Sequence, residues 1–195
     1  MKRDPQPSPA MVALATGELM VAARQTVAAL PADATPAAVV AEMRSALGQL
    51  WPRVPPEAVR DVLISAAELA SDLGITQMPD DLSAELAELY PGQLDGADGM
   101  LEMTAEWITA GKPTGPGGFT APTAFASSVA FDRAEDEETL TSLAALLAVS
   151  HLALAEREAA EREPEPEPDD YDPGPEVDDE GGMSEYRHQL PDDPF

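Results

Sequence analysis

The sequence has no cysteine, two histidines and only 5% aromatic residues. Each shortage removes some chemistry. Without thiols there is no disulfide, no thiolate zinc site and no cysteine nucleophile. The composition suits a reducing compartment. His151 and His188 do not make a His-rich metal site by themselves. Basic residues are scarce too: 11, nine of them Arg, against 37 acids, for a formal charge of −26 and a pI near 4.1. Phosphate binding is dominated by Lys and Arg, so direct contact with nucleic acid or an anionic membrane is not expected. Long apolar runs are missing as well. Residues 10–23 are apolar enough to suggest a signal peptide, but Glu18 interrupts them and a Pro-containing stretch separates them from Lys2 and Arg3. No stretch reads as a membrane span of about 20 apolar residues or as a signal peptide. The expected location is the cytoplasm.

What the sequence does hold is divided unevenly. Its 195 residues, 44% hydrophobic, allow one ordinary domain with an extension or two small ones. Residues 1–130 carry 16 acids and 7 bases, a net of −9, while residues 131–195 carry 21 and 4, a net of −17. From Glu163 onward the chain has 13 acids, one Arg and seven Pro. Such a segment buries too little apolar surface to offset the entropy of ordering, so 163–195 is predicted to be a disordered acidic tail. Residues 1–8 are Pro-rich and are expected to be flexible.

Between these ends the pattern is helical. Ser8-Pro9 and Thr35-Pro36 both read as an N-cap followed by Pro at the first helical position. Val12, Leu19, Ala23, Val27 and Leu30 follow the first signal at helical spacing, and Val39, Val40, Met43, Leu47, Leu50 and Trp51 follow the second. Pro31 and Pro52 end the two runs. A third stripe runs from Val59 to Leu73, with Gly74 at a left-handed C-cap position and Ile75 as its apolar contact. A short helix capped by Asp80 or Asp81 should turn Leu82, Leu86 and Leu89 inward. A fifth helix, about 98–110, places Met100, Leu101, Thr104, Trp107 and Ile108 on one face. Residues 111–123 are rich in Gly and Pro and read as a loop. Residues 124–131 fit a strand or a helical turn equally well. Asp132 and Glu135 have capping-box spacing and open a helix to about Arg162, whose middle is apolar nearly all round, as for a central buried helix. The expected architecture is mostly α: a single helical-bundle-like domain of five to six helices over 9–162, with roughly enough residues for a proper core.

Motifs that suggest chemistry fail on detail. Gly111-Lys112-Pro113-Thr114 lacks the earlier Gly and the following Ser or Thr of a phosphate loop. Asp95-Gly96-Ala97-Asp98-Gly99 with Glu106 lacks the side-chain oxygens of a calcium loop and reads as turn and cap chemistry. His151 sits on the apolar face of Leu147 and Leu154, where a core or interface role is expected. Glu85/Glu88 and Glu102/Glu106 read as solvated faces. The dispersed methionines, Met11 among them, read mainly as core filling. No catalytic residue, metal ligand or cofactor site is assigned, and no enzyme activity is expected. The first helix carries two charges between residues 10 and 30, so it packs either internally or against another subunit.

One feature of the tail points to a partner. It ends Asp192-Asp193-Pro194-Phe195, with its only Phe in last place. An acidic segment with this ending resembles the C-terminal tip of bacterial single-stranded DNA-binding proteins. In that family the tip docks on replication, recombination and repair proteins. The resemblance implies that Phe195 fills an apolar pocket, its α-carboxylate meets an Arg or Lys, and the acids steer toward a basic rim. The chain departs from the family in lacking one residue between the acids and Pro-Phe, and its body reads as helical rather than as a β-barrel. The leading expectation is a non-enzymatic acidic adaptor whose tail docks a partner with a basic patch, a DNA replication or repair protein being one such. A nucleic-acid mimic or inhibitor of a DNA-binding protein is the first alternative, and an assembly chaperone or scaffold of a phage or mobile element the second. A homo-oligomer is also open.

Overall fold

The computed structural model describes residues 6–31, 33–131 and 136–162. Among them the fold is all-α, with seven helices: α1 (Pro9–Ala29), α2 (Pro36–Leu50), α3 (Pro56–Asp72), α4 (Asp80–Leu89), α5 (Asp95–Thr109), α6 (Ala121–Phe131) and α7 (Asp136–Arg162). The expected tail and the Asp132/Glu135 capping box lie outside the described residues.

The start signals behave as their chemistry requires. The Ser8 hydroxyl accepts from the Met11 N–H at 3.3 Å, and the Thr35 hydroxyl from the Ala38 N–H at 3.2 Å. Each satisfies a backbone donor that the first turn leaves without a partner. At the end of α3, Gly74 takes φ +84°. The Ile75 N–H then donates to the Ala70 carbonyl at 2.8 Å and the Gly74 N–H to Ser71 at 3.0 Å, the two bonds of a Schellman cap.

Several details of the expected elements change, and one open choice is decided. Residues 124–131 belong to a helix, α6, which begins at Ala121. The loop therefore stops at residue 120, because Pro122 falls in the first turn, where a missing N–H costs nothing. This helix brings the number above the expected five to six. Helix α5 starts at Asp95 rather than Asp98. Asp80 and Asp81 lie within the first turn of α4 behind Pro79, and neither caps it by side chain. Leu89 is 56% exposed, although Leu82 and Leu86 of the same stripe are buried.

Helix α7 is the axis of the core. It packs against α2, α3, α5 and α1, while α6 lies across α3 and α5. Every residue from Thr139 to His151 is buried. Residues 137–162 are long and apolar enough to cross a membrane by length and composition, contrary to the reading from sequence. Yet 67% of the apolar window is buried inside the fold, where other helices cover it. Past Ala155 the helix is exposed, and Arg162 pairs with Glu158 at 3.2 Å.

Two glycines set how closely α5 is approached. A Cβ on Gly96 would lie 2.8 Å from the Ser142 hydroxyl of α7, and one on Gly99 would overlap the Phe125 ring of α6. The Asp95–Gly99 stretch thus serves packing rather than a turn. A polar clamp closes the same end. The Thr141 hydroxyl accepts from Arg44 Nε at 3.0 Å and has Gln93 Oε1 and the Glu137 carbonyl within 2.8 Å. The Ser142 hydroxyl donates to the Gln93 carbonyl at 3.0 Å. Arg44 also lies over the Tyr90 ring, 5.3 Å from its centre. These groups tie α2 and the α4–α5 turn to α7, and their mutual satisfaction marks a structural lock.

Candidate interaction surface

Helix α1 shows how an apolar sequence can be only partly used. Ala15, Leu19 and Ala23 are buried against the bundle. Leu19 and Ala23 belong to the expected stripe, and its other members, Val12, Val27 and Leu30, pack beside them. The opposite side would normally be polar in a surface helix. Here it carries Met11, Leu14 and Val21, which are 60%, 66% and 52% exposed, together with exposed Ala10, Ala13, Gly17 and Ala28. Among residues 6–31 only Glu18 and Arg24 are charged. Scattered apolar side chains on a surface need no explanation, whereas these stand in a row along one helix.

The geometry of that row is specific. Leu14, Gly17, Glu18 and Val21 stand at i, i+3, i+4 and i+7, the four corners of a hole that accepts one side chain from a facing helix. All four line one groove with Leu50 of α2, about 560 Å³ in volume. Gly17 adds no side chain to it, and nothing lies within 4 Å of where its Cβ would sit. Met11, 60% exposed, is not core filling.

A second hollow lies between α1 and α7, beside Arg24, Val27, His151, Leu154 and Glu158. His151 is 4% exposed. Its Nδ1 donates to the Leu147 carbonyl at 3.1 Å, with the Ser150 hydroxyl 3.3 Å away. That bond leaves Nε2 as an acceptor, buried and without a protein partner. Burial pushes the imidazole pKa below its ordinary 6.5; the bond to Leu147 opposes this in part and the charge of Arg24 adds to it. His151 is therefore a buried core histidine whose charged form is disfavoured.

The motifs set aside on sequence look the same in three dimensions. The Gly111 N–H donates to Ile108 at 3.0 Å and the Lys112 N–H to Trp107 at 2.9 Å, so the donors a phosphate would need are spent on capping α5. Lys112 stands over the Trp107 ring, 5.5 Å from its centre, and the Trp107 indole donates to the Pro113 carbonyl at 2.9 Å. Asp95 and Asp98 lie in the first turn of α5. Burial first, then the charge of Asp95, raises the Asp98 pKa above 3.8. Glu85, Glu88, Glu102 and Glu106 are all exposed. Among the described residues no three acidic or histidine side chains converge as a metal site would require.

Asp192, Asp193, Pro194 and Phe195 lie outside the described residues, so the helical body places none of them. Sequence reasoning stopped short of Leu14, Gly17 and Val21. The available signal was the side of α1 opposite its core stripe, which is apolar or small where charge is usual. No family model matches the chain, and neither curated proteins nor solved structures give a match.

Proposed function

We propose that this chain is a non-enzymatic, cytoplasmic adaptor that works by binding other macromolecules through two separate elements. One is the outward face of α1. The other is the acidic segment after Arg162, whose Asp192-Asp193-Pro194-Phe195 ending engages a protein with a basic patch. The observation that carries this reading is the row Met11, Leu14 and Val21, which stands in solvent where a free surface helix would carry charge. The excess of acid in residues 131–195 supports the second element, since a dense negative segment steers toward a basic partner.

The test is affinity capture with the intact chain beside Phe195→Ala and a version ended at Arg162, each shown to be folded by circular dichroism. The expected result is a basic protein retained by the intact chain and lost with Phe195→Ala alone. Retention by the version ended at Arg162 would defeat the docking role of the acidic segment. Loss only on removal of the whole segment, graded by salt and indifferent to Phe195, would instead favour mimicry of nucleic acid, which spreads binding over many acids.

A further inference from the structure

The hollow between α1 and α7 holds more polar chemistry than the packing of two helices requires. We propose that it binds a free apolar α-amino acid of the size of leucine, with the carboxylate on Arg24, the ammonium on His151 Nε2 and Glu158, and the side chain against Val27 and Leu154. This site shares no residue with the groove at Leu14 and Val21 and does not depend on the adaptor reading.

The argument begins with the walls. The hollow has a volume of about 390 Å³, within the ~300–1,000 Å³ of small-molecule pockets. Such pockets join an apolar lining to a few polar groups that fix orientation. Val27 of α1 and Leu154 of α7 supply the apolar lining, one from each helix. The polar groups are Arg24, Glu158 and His151, and each has capacity to spare. Arg24 is exposed and, among the described residues, has no ion pair. Glu158 gives Oε2 to Arg162 at 3.2 Å, which leaves Oε1 for another donor. His151 is 4% exposed, and its Nε2 has no protein partner. Its Nδ1 is held by the Leu147 carbonyl, one turn back along α7. Nε2 lies at the other edge of the ring, and the α7 wall of the hollow continues through Leu154 and Glu158, at i+3 and i+7. A buried acceptor without a donor costs free energy until one reaches it. Burial disfavours the charged ring, so Nε2 stays an acceptor at neutral pH.

Charge then selects the ligand. Arg24 takes an anion, whereas Nε2 and Glu158 take a donor. A plain carboxylate matches Arg24, leaves Nε2 unmatched and approaches against a chain of −26. A plain amine matches Nε2 and is repelled by Arg24. A zwitterion carries both groups and no net charge. A peptide terminus offers only one of the two, so the free amino acid is the occupant. Its side chain has to be apolar, because Val27 and Leu154 offer no hydrogen bond. Exposed side chains change rotamer within nanoseconds, so Arg24 can close over the bound carboxylate.

Titration of the full chain with L-leucine to about 20 mM at neutral pH, followed by amide NMR shifts, tests this. The expected result is saturable shifts centred on Val27 and Leu154, with a dissociation constant of about 1 mM or below. The thermal midpoint should rise with leucine, since a ligand of the folded state alone stabilises it. Leucinamide lacks the carboxylate and 4-methylpentanoate lacks the ammonium. Each should bind about tenfold more weakly, the loss of one charged hydrogen bond. Arg24→Gln should weaken leucine by a similar factor and, being on the surface, keep the circular dichroism of the parent. Glu158→Gln should weaken leucine but not 4-methylpentanoate. The absence of saturable shifts overturns the proposal, as does leucine binding indifferent to Arg24→Gln. Binding of 4-methylpentanoate as tight as that of leucine also overturns it, since the hollow would then be a simple carboxylate site.

Discussion

Helices α1 and α7 are written in nearly the same alphabet and meet different fates. Both are rich in Ala, Leu and Val, and neither has a strongly polar side through its middle. Helix α7 has neighbours on every side, and from Thr139 to His151 nothing of it is left in water. Helix α1 packs against α2, α3 and α7 along one side only, and Leu14 and Val21 stay in solvent. The same composition is covered on every side in α7 and along one side only in α1, so packing and not composition decides which apolar faces leave water.

The sharpest way to break this comparison is to remove the same side chain from both helices. Leu147 is fully buried. Leu147→Ala removes transfer energy and leaves a cavity, at a cost of about 2–5 kcal/mol. That is a large part of the roughly 5–15 kcal/mol that holds a domain folded. Leu14→Ala should shift stability by no more than about 0.5 kcal/mol in dilute protein, where association contributes nothing. Urea denaturation at micromolar concentration reads both. Equal losses would mean that α1 has no open face.

A glycine pair sharpens the same contrast with a smaller effect. At Gly99 a new methyl group meets the Phe125 ring, which has to move or strain, so Gly99→Ala should cost about 1–3 kcal/mol. At Gly17 a methyl group meets empty space. Gly17→Ala should stabilise the monomer by about 0.5–1 kcal/mol, through helix propensity alone. The two thermal midpoints should move in opposite directions. A loss at both sites would place α1 against an unrecognised neighbour.

How much of this was legible beforehand follows the range of the interactions involved. Ser8-Pro9, Thr35-Pro36 and Gly74-Ile75 announce helix ends because a cap is decided within a few residues. The stripes of α1, α2, α3 and α5 follow from periodicity, and the buried middle of α7 from the absence of a polar face. Helix α6 was ambiguous because its stretch from Ala124 to Phe131 is apolar, short and without polar alternation, so contact with α3 and α5 decides its state. The roles of Gly96 and Gly99 depend on Ser142 and Phe125, more than twenty residues away in sequence, and no local rule reaches them. The hole at Gly17 was hidden differently. Its four corners are close in sequence, but the core stripe draws attention to the other side of the helix, and only the packing shows which side remains open.

The smallest expected effect concerns the place where the two helices meet. His151 of α7 lies beside Arg24 and Val27 of α1, with Glu158 further along its own helix. Its folded-state pKa is depressed below 6.5, so between that value and 6.5 the unfolded chain binds more protons than the folded one. Stability is then fully present above 6.5 and falls as the pH drops through that window. His151→Leu removes the titrating group while keeping an apolar side chain among Leu147 and Leu154. Denaturation midpoints of the two proteins, compared pH by pH, isolate the histidine from the many carboxylates, which titrate in both. The difference between them should favour the parent less as the pH is lowered from 7 through 6.5 and below. A difference that stays constant across this range would mean that Nε2 finds a partner once protonated. The α1–α7 contact would then hold firm in acid instead of loosening.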